Sequence, residues 1–199
     1  MKNTMKPLAV LAFSVAIALP AIALAGSDYS SVNKSISVEA NSSAGEVDSV
    51  NGSIRIGNRA VVTSIESVNG TVNVDEDAKV ERHVEVVNGT INLAEGVEVG
   101  GTIASVNGSI RTRNAAIAGD VHTVNGGIAL LDGSIVEGNV KVRKPQGWSS
   151  NKSKPVKVTI GEDVQVFGDL IFEQPVELHI HASARVGEVI GKDITIMDS

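Results

Sequence analysis

The sequence contains no cysteine and only five aromatic residues among its 199, namely three Phe, one Trp and one Tyr. The lack of Cys excludes a disulfide framework, a zinc–cysteine site and a cysteine nucleophile. Because aromatics are scarce, a core has to be built from Val, Ile, Leu and Ala, and a hydrophobic content of 42% argues against general disorder. The formal net charge of −6 is a poor match for nucleic acid, and the length suits one domain or two small ones.

The first 25 residues have the three parts of an export signal. Two lysines begin the segment, an apolar run interrupted by Pro20 follows, and Ala23-Leu24-Ala25 predicts cleavage before Gly26. The alternative is a transmembrane anchor, since the run is about long enough to span a bilayer. The proline and the small-residue site favour cleavage. We therefore expect a bacterial periplasmic or extracellular protein with no transmembrane segment after cleavage.

A Val-Asn-Gly-Ser/Thr-Ile motif recurs through the chain at intervals of 18 or 19 residues. Its Asn and Gly positions are Asn33, Asn51, Gly52, Asn69, Gly70, Asn88, Gly89, Asn107, Gly108, Asn125 and Gly126. A six-residue period of small aliphatic residues runs without a break from Val32 to Val86. This period includes the motif valines Val32, Val50 and Val68 and indicates an aliphatic interior.

Apolar residues also recur at fixed distances from each Asn. They stand three and five residues after it, small or apolar residues such as Ala116 and Ala118 stand nine and eleven after it, and one more stands four before the next Asn. Three short strands with one buried face each fit this pattern, because alternate residues of a strand point to opposite faces. We therefore predict an all-β, single-domain, three-sided β-solenoid of 18–20-residue coils. About eight coils stacked at roughly 4.8 Å would give a rod of about 40 Å, too narrow inside for aromatics.

An array of antiparallel hairpins is the alternative fold, because Asn-Gly is the strongest two-residue hairpin signal. A hairpin array, however, gives no reason for the six-residue period. In the solenoid the Asn-Gly pair becomes a corner, where Gly allows positive φ and stacked Asn side chains hydrogen-bond along the axis. The same letters match a glycosylation sequon. Asn125-Gly126-Gly127 keeps the corner and loses the sequon, which favours the structural interpretation.

The repeat changes near residue 144. We assign 26–143 to the Asn-Gly solenoid, 144–155 to a loop and 156–199 to further coils that end in an edge strand. The region around the loop is basic and contains the only Trp; its residues are Lys141, Arg143, Lys144, Trp148, Lys152, Lys154 and Lys157. On an acidic rod this loop is a candidate binding site for an anionic glycan, a lipid headgroup or an acidic protein. The alternative is a solvated insertion with Trp148 packed back on the coil.

The Val-Asn-Gly-Ser/Thr-Ile repeats resemble the adhesin-like β-strand-repeat proteins that bacteria secrete. The segments 116–121 and 164–170, Ala-Ile-Ala-Gly-Asp-Val and Val-Gln-Val-Phe-Gly-Asp-Leu, resemble bactofilins, which are polymer-forming cytoskeletal proteins. The resemblance covers nearly all of the chain after the signal and implies a solenoid without a catalytic residue. Bactofilins lie in the cytoplasm or on the inner face of the membrane, so the export signal departs from that family.

Few residues suggest catalysis or metal binding. The four histidines are His83, His122, His179 and His181; the last two share a strand and have metal-ligand spacing, but they fit surface positions as well. Hexapeptide-repeat acyltransferases also have triangular coils and a His base, but the small residue that follows each core aliphatic there is mostly missing here. We expect three acids to stack at one outward position: Asp48, Glu66 and Glu85. They form either a solvated face or a row whose mutual repulsion a bound divalent cation would relieve.

These observations predict a non-enzymatic protein without a cofactor. The expected function is that of a structural or adhesin-like element of the bacterial envelope, which self-associates through ends that lack capping helices. The alternative is a monomeric periplasmic module that recognises an anionic envelope ligand through the basic loop.

Overall fold

The computed structural model describes residues 26–145 and 154–198, and these residues contain 23 strands and no α-helix. All strand pairs are parallel, and each strand pairs only with strands of the coil directly before or directly after its own. The described chain is thus a three-sided β-solenoid of about eight coils, as the repeat length predicts. The predicted export signal and residues 146–153 of the predicted basic loop lie outside the described residues.

The first side of the solenoid is a nine-stranded sheet. It begins after each Asn-Gly motif, where Ile or Val alternates with polar residues and the burial follows the same alternation. Numbered in chain order, its strands are β2 (Ile36–Val38), β4 (Ile54–Ile56), β6 (Val72–Val74), β9 (Ile91–Leu93), β12 (Ile110–Arg113), β15 (Ile128–Leu131), β18 (Val156–Ile160), β21 (Val176–Ile180) and β23 (Ile194–Asp198).

The second and third sides form one 14-stranded sheet, because two long strands, β3 (Ser43–Asn51) and β5 (Val61–Asn69), run along both of them. The second side continues through β7 (Lys79–Val80), β10 (Glu98–Val99), β13 (Ala116–Ile117), β16 (Ile135–Val136) and β19 (Gln165–Val166). The third side consists of β1 (Tyr29–Ser31), the ends of β3 and β5, β8 (Val84–Asn88), β11 (Ile103–Asn107), β14 (Val121–Thr123), β17 (Val140–Val142), β20 (Leu170–Phe172) and β22 (Val189–Gly191).

The interior is a single aliphatic core. The largest fully buried side chains are all Ile or Leu, and buried Val residues fill most remaining inward positions. The positions three and five after Asn51, Ile54 and Ile56, are buried, and so is Val47, four before it. Each such side chain contributes about 1.5–3 kcal/mol when it is fully removed from water.

Three expectations about the interior are wrong. Phe172 is buried, because the next residue in its register is Gly191, which has no side chain. In the coil that follows Asn107 the inward residues are Ala115 and Ile117, one position earlier than the predicted Ala116 and Ala118. This coil has one residue fewer before its second side and one residue more before its third. Its total length is therefore unchanged, and the spacing of the Asn residues does not reveal the shift.

The valine of each motif is the third error, because it faces outward. Val50, Val68, Val87 and Val106 are each 40% or 41% exposed. The inward position is held by the residue before it, which is Ser49, Ser67 or Ser105 in three of these coils and Val86 in the other. Strand alternation explains the difference: Val47 faces inward, and Val50 lies an odd number of residues further along the same strand.

The Asn-Gly corner joins the third side to the first, and its Asn side chains form a continuous ladder. The Nδ2 of each Asn donates to the Oδ1 of the Asn one coil earlier, over 3.2 Å between Asn51 and Asn33 and over 2.9–3.0 Å in the four later pairs up to Asn125. The glycines are required for a different reason than positive φ. A Cβ on Gly89, Gly108 or Gly126 would overlap the carbonyl oxygen of the glycine one coil earlier.

The other two corners use different residues. Positive φ occurs at the corner between the first and second sides, where Asn41, Arg59, Asp77 and Gly96 stand one coil apart. At the corner between the second and third sides, Asp120 Oδ1 accepts the backbone N–H of Asn139, Asn139 Oδ1 accepts that of Asp169, and Asp169 Oδ1 accepts that of Glu188, at 2.8–2.9 Å. This second ladder continues the axial hydrogen bonding beyond the last Asn-Gly motif.

Candidate functional site

The third side carries an open groove of about 440 Å³ that runs along the axis of the solenoid, from Ser30 at one end to Arg143 at the other. It forms because positions two apart on the same strand both face outward, one before and one after the buried Ser49, Ser67 or Ser105. We call the inner row of outward side chains the floor and the outward valines the wall. The wall residues are Val50, Val68, Val87, Val106 and Val124.

The floor changes in charge along its length. Asp48, Glu66 and Glu85 lie in register on consecutive coils, as the sequence predicts. Ala104 and His122 continue the same row, and Lys141 follows one coil later. The floor is therefore acidic over three coils and basic at its far end.

The acids are close enough to affect one another. Burial raises the pKa of Asp48, and the carboxylates of Glu66, Glu46 and Asp28 raise it further. Glu66 Oε1 is 3.1 Å from His83 Nε2. When this histidine is protonated, its positive charge offsets part of the negative charge of Glu66. Within residues 26–145 and 154–198, no ion pair joins the side chain of Asp48 or Glu85 to a basic residue.

At the other end of the groove, His122 is half-buried. Burial lowers its pKa, Arg143 and Lys141 lower it further, and Asp120 opposes them. Its Nδ1 is buried without a hydrogen-bond partner in the described structure. The side chain of Gln174 fixes the backbone here, because its Nε2 donates to the carbonyl oxygen of Val124 at 2.5 Å and to that of Arg143 at 2.9 Å.

Lys141 is neutralised by Asp120. Its Nζ is 2.6 Å from Asp120 Oδ2. Burial alone raises the pKa of Asp120, but the hydrogen bonds from Lys141 and Asn139 together with the charge of Lys141 outweigh burial and leave the pKa below its usual value. Lys141 therefore lies on β17, in the row that continues the floor, with its charge paired to Asp120.

Of the other residues of the predicted basic loop, the structure describes Arg143, Lys144 and Lys154. Arg143 is exposed at the end of the groove, the backbone N–H of Lys144 donates to Glu173 Oε2 at 3.0 Å, and Lys154 is exposed. Trp148 and Lys152 lie outside the described residues. Recognition of an anionic envelope ligand by this loop therefore stays a prediction.

The remaining histidines have local partners. His179 Nε2 is 2.6 Å from Glu177 Oε1, and this hydrogen bond lowers the pKa of Glu177. His181 Nδ1 is 2.9 Å from Ser183 Oγ. Among the described residues, no three His, Asp or Glu side chains are grouped closely enough to hold a metal ion.

Comparisons with protein-family models, with curated protein sequences and with solved structures each give no match for this chain. No helix among the described residues is long and apolar enough to cross a membrane. The strand pairing and the side-chain positions of this chain alone therefore establish the fold and the groove. The sequence pointed to the acidic row but missed the groove, although the odd spacing between Val47 and Val50 is a signal that could have revealed the exposed wall.

Proposed function

We propose that this chain is an exported, non-enzymatic structural rod of a bacterial envelope, adhesin-like in character, which self-associates through its ends. The observation that carries the proposal is the uncovered core at the C-terminal end of the solenoid. There, apolar side chains occupy inward positions with no further described coil to cover them.

The strand register identifies these inward positions. Ile196 pairs in register with Leu178, which is fully buried, yet Ile196 is 64% exposed. Val189 pairs with Leu170, also fully buried, and is 36% exposed. A second rod stacked on this end would bury both side chains and so gain the hydrophobic stabilisation that the inner coils already have.

The strand edges favour the same contact. Each of β22 and β23 pairs on one side only within the described chain, and so do β1 and β2 at the opposite end. Unpaired parallel edges are templates for further strands, and solenoids without caps stack end to end. A head-to-tail contact between different ends does not close on itself and leads to filaments, whereas contact between like ends stops at a dimer.

Sedimentation analysis and negative-stain electron microscopy of the chain from Gly26 onward test the proposal. We expect assemblies whose mass grows with protein concentration. Ile196→Lys places a charge on the open core and should shift the population to monomers, because an unpaired charge buried in an apolar contact is strongly unfavourable.

Phe167→Lys is the matched control, since Phe167 is also 64% exposed but lies on the lateral surface outside the core. This variant should assemble like the unmodified chain. A clean monomer at high concentration, or equal loss of assembly in both variants, would contradict end-to-end association.

Export is tested separately by osmotic-shock fractionation. The full chain should be recovered from the periplasm or the medium in a processed form, and a variant that lacks residues 2–25 should remain in the cytoplasm. Recovery of unprocessed full-length chain in the cytoplasm would refute the envelope assignment without affecting the assembly result.

A further inference from the structure

The groove on the third side combines two features that neither a structural rod nor a solvated face requires. Its floor carries three acids in consecutive coils, and its wall exposes an aliphatic side chain beside each of them: Val50 beside Asp48, Val68 beside Glu66, and Val87 beside Glu85. Solvated outward positions in a sheet are normally polar. A row of valines kept at about 40% exposure along a groove therefore resembles a contact surface.

We propose that the acidic half of this groove binds a linear aliphatic polyamine, a chain of ammonium groups separated by methylene segments. The ammonium groups pair with the floor carboxylates, and the methylenes lie against the valine wall. The coil spacing of about 4.8 Å sets the spacing of the carboxylates along the axis. This is close to the separation of neighbouring amines that three methylenes connect, and a four-methylene segment reaches the same separation only when it is bent.

The arrangement of the acids favours an extended polycation over a metal ion. A divalent ion needs several oxygen ligands around one point. Here Asp48, Glu66 and Glu85 are spread along a line, one per coil, and the described residues provide no grouping of three such ligands. An extended ligand instead meets each carboxylate in turn.

Charge complementarity also sets the position of the ligand along the groove. The acidic row stops at Ala104, and beyond it His122 and Arg143 line the groove. The charge of Arg143 repels a polycation from that end and confines it to the coils between Ser30 and Glu85. The repulsion between Asp48 and its acidic neighbours is relieved when an ammonium group lies between them.

Titration calorimetry with spermidine at physiological salt tests the proposal on the chain from Gly26 onward. We expect saturable binding of one spermidine per chain. Asp48→Asn combined with Glu85→Gln removes two carboxylates and should weaken binding by about fivefold to tenfold. Neither substitution changes the size of the side chain.

Glu76→Gln combined with Glu162→Gln is the matched control, because both residues are exposed acids outside the groove and the change in net charge is the same. This variant should bind spermidine as the unmodified chain does. Equal weakening by both pairs would show general charge screening and overturn the proposal.

A second pair tests the wall. Val68→Thr with Val87→Thr keeps the side-chain shape but replaces one exposed methyl with a hydroxyl at each position, and it should weaken spermidine binding by about threefold. A concentration of Mg²⁺ that supplies the same total charge should not displace spermidine fully. Absence of saturable binding, unchanged binding in the threonine pair, or complete displacement by Mg²⁺ would each refute a polyamine site.

Discussion

The asparagine ladder allows the axial contacts of the solenoid to be measured bond by bond. Asn107 lies inside the ladder: its Nδ2 donates to Asn88 Oδ1, and its Oδ1 accepts from Asn125 Nδ2, both at 2.9 Å. Asn125 lies at the end of the ladder and makes only the bond to Asn107 within it. Asn107→Ala therefore breaks two ladder bonds, whereas Asn125→Ala breaks one.

The expected magnitudes follow from this count. A side-chain hydrogen bond contributes a net of about 0.5–1.5 kcal/mol, and the ladder is exposed, so the lower half of that range applies. We expect Asn125→Ala to lower the free energy of unfolding by about 0.5–1 kcal/mol and Asn107→Ala by about 1–2 kcal/mol. The double variant breaks the same two bonds as Asn107→Ala and should be no less stable than it.

Urea unfolding followed by far-ultraviolet circular dichroism measures these differences through the midpoint and the slope of the transition. The deciding quantity is the coupling energy between the two positions, which should equal about one hydrogen bond. Strictly additive losses, or equal losses in the two single variants, would show that the Asn residues act as isolated corner residues and not as a ladder.

Two further predictions concern backbone space and pH. Gly108→Ala should destabilise the solenoid by about 1–3 kcal/mol, because its Cβ overlaps the carbonyl of Gly89, which cannot move without its own coil. Gly127→Ala, whose Cβ would come to 3.2 Å from the carbonyl oxygen of Lys157, should destabilise it clearly less, and equal effects would refute the argument. The pKa of His122 is lowered in the folded chain, so its contribution to stability is complete above the unfolded value of 6.5 and is lost as the pH falls below it. The urea midpoint should therefore drop more between pH 7.5 and 5.5 in the unmodified chain than in His122→Gln; an equal drop in both would contradict the burial of this ring.

The repeat length and the coil architecture were accessible from the sequence because they depend on local spacing. Asn residues 18 or 19 apart fix the length of each coil, and the apolar positions three and five after Asn51 follow from strand alternation alone. The ladder is equally local in origin, since an Asn that recurs once in every coil at the same corner stacks when the coils do.

The groove was not accessible in the same way. A six-residue period puts Val50 and Val62 in one series, but only the position of the corner decides that Val62 faces inward and Val50 outward. The sequence showed that Asp48, Glu66 and Glu85 form a row, yet the apolar wall beside them depends on where each strand bends.

The sequence by itself therefore determined the number of residues per coil, the aliphatic content of the core and the stacking of like residues, because these follow from periodicity. Only the tertiary structure decided which atoms of neighbouring coils come into contact and which inward side chains remain uncovered. The need for Gly108 comes from the carbonyl of the preceding coil and not from its own φ, and the exposed core at Ile196 comes from the absence of a further coil among the described residues. Such contacts join residues far apart in the chain, and the local alternation of apolar and polar residues does not predict them.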